Sequence, residues 1–487
     1  MTSRWILPGV VLGFVLFLSA GCSTQPVKPH GASATSKSQT SLRLEATTYP
    51  GSLIGMQYEP WFTRDNVNWD TAEAIPILGK YSSFDVNVLK QHAHWFESLG
   101  INWLLIDWSN MLWMQPAWEE QRGAVAQLEK STALLFDTYA QLQKSGENPP
   151  RIVFLLGLEN GPPVKNGVER LGRIFDFIDA HFLSNPQYKN LWLYYNSKPL
   201  ITILYNPANP CRDLHQALAK HPLVESKWTI RWMASQLQAN HAEACGMWSW
   251  MDGTIRQLVT YHDGKAEDTV VTPSCFAPGG WLAKTAVERD HGAPYIESWK
   301  VAFKARPKFI QVHQWNEFAG QKKGEGYGPG HHVYVDEYNL PFSDDLEPTQ
   351  LSGCAYRGCG GWGYYYMNLT KALISLYRGE TPNITVMALS APFEPEVVKK
   401  PTLPLTWETL GAQPKSFSLK LDGETVASRL HGDSYLLHLP RLAPGTHEVT
   451  LVAHGAHTYF DLSPKREAEK SATPLPVTST IQFRYLR

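Results

Sequence analysis

Five short apolar runs in this chain each end in residues fit for acid–base chemistry. Leu53–Tyr58 leads into Glu59 and Trp61, and Ile101–Ile106 leads into Asp107 and Trp108. Ile152–Leu156 precedes Glu159 and Asn160, Gly246–Met251 carries Trp250 up to Asp252, and Phe309–Val312 precedes Trp315, Asn316 and Glu317. Carboxylates, amides and indoles gathered on one rim suit glycoside hydrolysis. That reaction needs one carboxylic acid to protonate the leaving oxygen and a second carboxylate to act as base or nucleophile. Glu317 and Asp107 are the catalytic candidates on this reading. Tyr58, Glu59, Trp61, Trp108, Glu159, Asn160, Trp250, Asp252, Trp315 and Asn316 are the candidate sugar contacts, although Asp252 before Gly253 also fits an ordinary turn.

Residues at strand ends meet only if the strands share a sheet and point the same way. The apolar runs are β-branched and short, and helical patterns alternate with them. The clearest such pattern runs from Asp85, a suitable N-cap, through Val88, Leu89, Trp95, Phe96 and Leu99 to Gly100. Further strands are expected at Pro199–Tyr205, Trp228–Met233 and Thr269–Phe276, which makes eight. Eight strand–helix units over residues 51–385 predict an α/β fold, a (β/α)8 barrel whose active site lies at the strands' C-terminal ends. An open doubly wound sheet is the competing arrangement. Over residues 386–487 the texture changes to short patterned runs separated by Asp422-Gly423 and Pro444-Gly445, which predicts an antiparallel β-sandwich domain.

Composition bounds the partners. A formal net charge of -1 gives no basic field for nucleic acid, whereas aromatics make up 12% of the 487 residues, with 18 Trp and 21 Tyr. Sugar rings stack their apolar faces on such rings, and a large core also consumes them. Residues 1–21 read as a signal peptide: Arg4, an apolar run from Trp5 to Leu18, then Ser19-Ala20-Gly21-Cys22. This ending resembles a bacterial lipobox, which implies cleavage before Cys22 and lipidation of its thiol. Ser23 resembles the sorting residue of outer-membrane lipoproteins, and residues 22–50, rich in Ser, Thr, Gln and Pro, read as a flexible tether. The only membrane attachment expected is through Cys22, and no protein partner is predicted. Neither His331-His332 nor the pair His92 and His94 has the spacing of a metal site.

Tyr58-Glu-Pro-Trp-Phe62, Trp315-Asn-Glu-Phe318 and Asp345-Leu-Glu-Pro348 together resemble motifs of glycoside hydrolase families 71 and 99. The resemblance spans the barrel region and implies a (β/α)8 barrel that hydrolyses a glycan without a cofactor. It matches Glu317 to a base that assists the sugar's own hydroxyl, and it adds Glu347 to the candidate site. In those families the motif is compact; here Ala319 to Asp344 separates its halves, and Gly320 stands where the second motif glutamate is expected. The acid then has to come from Asp107, Glu325 or Glu347. A non-catalytic glycan-binding protein is the alternative that this departure leaves open.

Overall fold

The computed structural model describes residues 51–62, 69–72, 74–111, 123–158, 164–205, 227–236, 246–275, 286–319, 340–350, 361–380, 385–391, 397–439, 442–456 and 477–486. The barrel elements run β1 (Leu53–Tyr58), α1 (Val86–Leu99), β2 (Trp103–Trp108), α2 (Gly123–Lys144), β3 (Arg151–Leu158), α3 (Gly167–Ile178), β4 (Tyr194–Tyr195) and β5 (Lys198–Tyr205). They continue as β6 (Thr229–Gln236), β7 (Trp248–Asp252), β8 (Val259–His262), β9 (Lys265–Val271), α4 (Ala293–Ala305), β10 (Phe309–Val312) and α5 (Tyr365–Tyr377).

Eight of these strands are parallel, in the order β7–β6–β5–β3–β2–β1–β10–β9. The first and last in sequence are neighbours, with Ile54 opposite Ile310, and the two ends of the order, β7 and β9, lie against each other, so the sheet has curled round on itself. The ring is a (β/α)8 barrel whose ladder is interrupted only between β7 and β9 among the described residues. There, interior amides bridge the wall: Gln57 Nε2 donates to the Trp250 carbonyl and Gln311 Nε2 to that of Ser249, both at 3.3 Å. Gln311 Nε2 also donates to Asp268 Oδ2 at 2.7 Å.

Alternation along each strand sorts side chains into two cores. Trp103, Leu105, Val153, Leu155, Leu200, Met233, Trp248 and Phe309 fill the barrel interior. Their neighbours Leu104, Ile106, Phe154, Leu156, Ile201, Ile203 and Ile310 face outward into the layer of helices. At the bottom of the interior the Trp103 indole occupies the space over Gly55, where an added Cβ would come within 2.2 Å of the ring. The glycine is therefore what admits a tryptophan to the narrow floor of the ring.

The helix caps form where the sequence places them. The Asp85 side chain accepts from the Asn87 N–H, and Gly100, at φ 86°, turns its N–H back to Phe96 and Glu97. Several strand limits differ from expectation by a few residues, and two of them bear on the site. β2 continues through Asp107 and Trp108 rather than stopping at Ile106. The seventh barrel strand lies earlier, at Lys265–Val271, because it is the second arm of a hairpin. The turn is Asp263-Gly264, both at positive φ, a two-residue signal that the Pro273 region obscures.

From Thr385 two sheets, antiparallel but for the short β12–β18 pair, face each other: β11 (Thr385–Ser390), β13 (Thr402–Gly411) and β16 (Ser434–His438) in one. The other holds β12 (Val397–Val398), β14 (Ser416–Leu421), β15 (Glu424–Leu430), β17 (Gly445–His454) and β18 (Thr478–Tyr485). Leu389, Leu405 and Trp407 meet Phe417, Leu419, Val449 and Ile481 between them, so this is a β-sandwich. β11 serves both bodies. Met387 and Leu389 enter the sandwich core while Val386 and Ala388 join the barrel's outer core. The Tyr365 hydroxyl of α5 donates to the Met387 carbonyl, and Lys300 of α4 pairs with Glu408 at 3.2 Å.

Candidate active site

Parallel register decides which strand-end residues meet. Tyr58 lies opposite Ile106, so the next pair up, Glu59 and Asp107, are neighbours on the interior face, about 4.8 Å apart along the ladder. Glu59 is 1% exposed, whereas Asp107 remains partly open. Burial pushes the Asp107 carboxyl above its ordinary range, and the Ser109 N–H (2.6 Å), His313 and Glu59 offset part of that shift. His313 continues the interior face of Phe309 and Gln311. It stands edge-on to Trp250, with centroids 4.6 Å apart, and its Nδ1 is 3.0 Å from Asp344 Oδ2. That is an ion-pair distance without the alignment of a hydrogen bond.

The two halves of the split motif lie against each other. The Leu346 and Glu347 N–H groups both donate to the Trp315 carbonyl, at 3.2 and 2.9 Å, and Gln314 N–H donates to the Asp344 carbonyl at 3.1 Å. The Glu317 N–H donates to Asp345 Oδ1, and the Gln314 side-chain amide donates to Glu317 Oε2. A second carboxylate thus stands directly beside Glu317, supplied by the distant half of the motif. Arg289 backs this segment. Its guanidinium lies between the rings of Trp362 and Tyr366, at 4.0 and 3.7 Å, and donates to the Asp345 carbonyl at 2.7 Å.

Asn316 joins the two groups of acids. Its Oδ1 accepts from the Glu59 N–H at 2.9 Å, and its Nδ2 donates at 3.1 Å to both the Glu59 carbonyl and the Tyr81 hydroxyl. Tyr81 in turn donates to Glu347 Oε2 at 2.7 Å. Burial first, and then Glu347, raises the Tyr81 phenol, which keeps its proton for that bond. Glu347 Oε1 is 3.1 Å from His92 Nε2, and the other ring nitrogen of His92 is 3.1 Å from the Tyr58 hydroxyl. A carboxylate acceptor assigns the proton to Nε2, which leaves Nδ1 to accept from Tyr58.

This chain of bonds relocates several expected contacts. Tyr58, Trp108 and Trp315, expected at the cleft, lie behind the strands and are at most 1% exposed. Tyr58 and Trp108 each lie one residue from an interior-facing neighbour, Glu59 and Asp107, and so point the opposite way; Trp315 lies past the end of β10. Trp108 donates to Thr132 of α2 at 3.0 Å, and Trp315 packs on Phe96 of α1 with centroids 4.7 Å apart. Glu347 and Asn316 are fully buried and hold the wall from behind rather than lining the cleft. Trp61 is half-buried beside Phe62 and Trp69. Glu159, Asn160, Glu325, Cys22 and the side chain of Asp252 lie outside the described residues. The residues missed by sequence reasoning are His313, Gln314, Asp344 and Asp345. Counting by twos from Phe309 reveals His313, and Asp345 opens the Asp345-Leu-Glu-Pro348 motif although the resemblance gives it no role; nothing local reveals Gln314 or Asp344.

The fold and site define a (β/α)8-barrel protein with a sandwich domain and an acidic rim at the strands' C-terminal ends. No protein-family model matches the chain, and no curated protein matches it. Among solved structures it is similar to the family 99 endo-alpha-mannosidase of Bacteroides thetaiotaomicron in complex with bis-tris-propane. Identity is 16% over 67% of this chain and 97% of that one, with a TM-score of 0.46. A glycoside hydrolase-like protein shares 12% identity over 68% of this chain and 95% of its own, with a TM-score of 0.41. The endo-beta-1,4-mannanase of Thermotoga petrophila shares 8% over 91% and 99%, with a TM-score of 0.37. All three are distant.

Proposed function

We propose that this protein is a glycoside hydrolase acting on a poly- or oligosaccharide through carboxylate acid–base catalysis. The observation that carries the reading is the set of buried acids at one end of the barrel. The Asp345 carboxylate accepts from the Glu317 N–H, Glu59 and Asp107 are neighbours on the strand ladder, and Asn316, which precedes Glu317, is bonded to the Glu59 main chain. Glu317 acts as base or assisting carboxylate. Asp107, raised by burial and partly open, is the acid that protonates the leaving oxygen. As the glycosidic bond breaks, its electron pair stays on that oxygen, which takes the Asp107 proton. Water adds to the sugar carbon and gives up a proton to Glu317. Glu317 then releases its proton to solvent while Asp107 takes one up, which restores both residues, and the sum is one water consumed per bond.

Incubating the purified protein with a panel of glycans and analysing products tests this reading. Discrete shortened products are expected from one glycan class. Binding without any product would favour the second reading, a glycan-binding protein, for which Gly320 in place of a motif glutamate is the supporting observation.

We place the protein in the cell envelope, tethered through lipidated Cys22 and facing outward from or into the outer-membrane compartment. Fatty-acid labelling in a bacterial host is expected for the natural chain and lost in Cys22→Ser. Labelling that survives the substitution rejects the anchor.

A further inference from the structure

The segment that brings Asp345 to Glu317, 28 positions away along the chain, is gripped from two sides. On one side the Leu346 and Glu347 N–H groups bond to the Trp315 carbonyl. On the other, two side chains reach its carbonyls: Arg289 Nη2 donates to that of Asp345 at 2.7 Å, and the Trp362 indole to that of Glu347 at 2.9 Å. These two donors touch, because the guanidinium lies 4.0 Å from the centre of the Trp362 ring and 3.7 Å from that of Tyr366. The Arg289 main chain is tied down as well, its N–H to the Pro341 carbonyl at 2.8 Å and its carbonyl to the Tyr366 hydroxyl at 3.2 Å.

Arg289 is only 6% exposed, and its Nε and Nη1 have no hydrogen-bond partner among the described residues. A guanidinium keeps its charge, and burying it with donors unmet costs free energy. A neutral amide could make the one bond to Asp345 at less cost, so the charge itself calls for a reason. The elements joined here are acidic. Asp345 accepts from the Glu317 N–H, Asp344 stands 3.0 Å from His313, and Glu347 is bonded to His92 and Tyr81. On its own segment Arg289 follows Glu288 and precedes His291 by two residues, while Trp362 and Tyr366 bring no charge. Asp344 and Glu347 thus each have a histidine, and Arg289 is the cation bonded to the residue that holds Glu317.

We propose that Arg289 is a positioning residue for Glu317: locked between Trp362 and Tyr366, its guanidinium holds Asp345 against the Glu317 main chain and provides the positive charge that keeps these two acids ionised. This rests on the hydrolase reading above, in which Glu317 must be ionised to act, and Arg289 itself touches no substrate. Without the cation, neighbouring carboxylates raise each other's affinity for protons, and Glu317 takes one up at higher pH. The base is then lost sooner as pH falls, so the acidic limb of the kcat/KM profile moves toward higher pH.

Arg289→Met removes the charge and keeps most of the buried stem, whereas Arg289→Lys keeps the charge without the planar fork. Infrared difference spectra of the full-length protein across pH, with carbon-13 in the glutamate carboxyls, read the midpoint of Glu317. Its band is the one lost in Glu317→Gln. The midpoint is expected to rise by about one pH unit or more in Arg289→Met and to stay near that of the natural chain in Arg289→Lys. On a glycan that the protein cleaves, the acidic limb follows the midpoint in each variant. An unmoved midpoint in Arg289→Met overturns the proposal, as does one raised equally far in Arg289→Lys. Should Arg289→Met not fold, Arg289→Gln, which can still donate to Asp345, carries the same expectation. Failure of all three variants to fold would make Arg289 part of the scaffold and overturn it too. The spectrum needs no substrate. A raised midpoint with no glycan cleaved would keep the link from Arg289 to Glu317 and remove the hydrolase reading; cleavage with an unmoved midpoint would do the reverse.

Discussion

Glu317→Gln is expected to lower hydrolysis of the responsive glycan by about a thousand-fold or more, with KM little changed and the fold intact. The magnitude is that of losing a positioned general base or assisting carboxylate. The folded state should tolerate the change because the backbone N–H of residue 317, which donates to Asp345, is untouched. The Gln314 amide loses a carboxylate acceptor but meets a side-chain carbonyl of the same shape. Thermal unfolding and circular dichroism should therefore match those of the natural chain. Retained activity in Glu317→Gln would reject the role given to this residue. Lost activity with a collapsed melting transition would place Glu317 in the scaffold instead.

The second large effect is expected from Asn316→Ala, and it should appear in stability as well as rate. Asn316 is fully buried and makes three hydrogen bonds, two to the Glu59 main chain and one to Tyr81. Each buried partner deprived of its bond costs about 1–3 kcal/mol, so the three together give a loss on the order of 3–9 kcal/mol if water does not enter the gap. Denaturant unfolding measures it. The rate should fall too, because Glu59 and Glu317 take their relative positions from this one side chain. Asn316→Asp is a sharper probe. It keeps the acceptor for the Glu59 N–H but sets a carboxylate against the Glu59 carbonyl and close to Glu347 through Tyr81. It should be no more stable than the alanine variant. Near-natural stability in either would show that the clamp carries little of the site.

Both expectations concern residues that adjoin in sequence yet differ in task. In the proposed mechanism Glu317 acts on the substrate, while Asn316 and Trp315 are buried in the wall. The same division separates Glu59 from Tyr58 and Asp107 from Trp108. A sequence motif marks the neighbourhood, and strand register decides which member of each pair enters the cleft.

The sequence by itself determined the alternation of strands and helices and the cap residues Asp85 and Gly100. It also determined the ends of β1 and β10 and the change of texture before the sandwich. These are local: a β-branched run, a capping side chain or a turn dipeptide acts within a few residues, where chain connectivity supplies the proximity. Only the tertiary structure decided the rest. It brought Asp345 to Glu317 across the insertion, placed Glu59 beside Asp107 from strands some fifty residues apart, and turned Trp108 and Trp315 toward helices. Those outcomes depend on closure of the ring and on which strand pairs with which. Pairing is fixed by burying one face of every strand at once, a condition no single stretch of the chain contains.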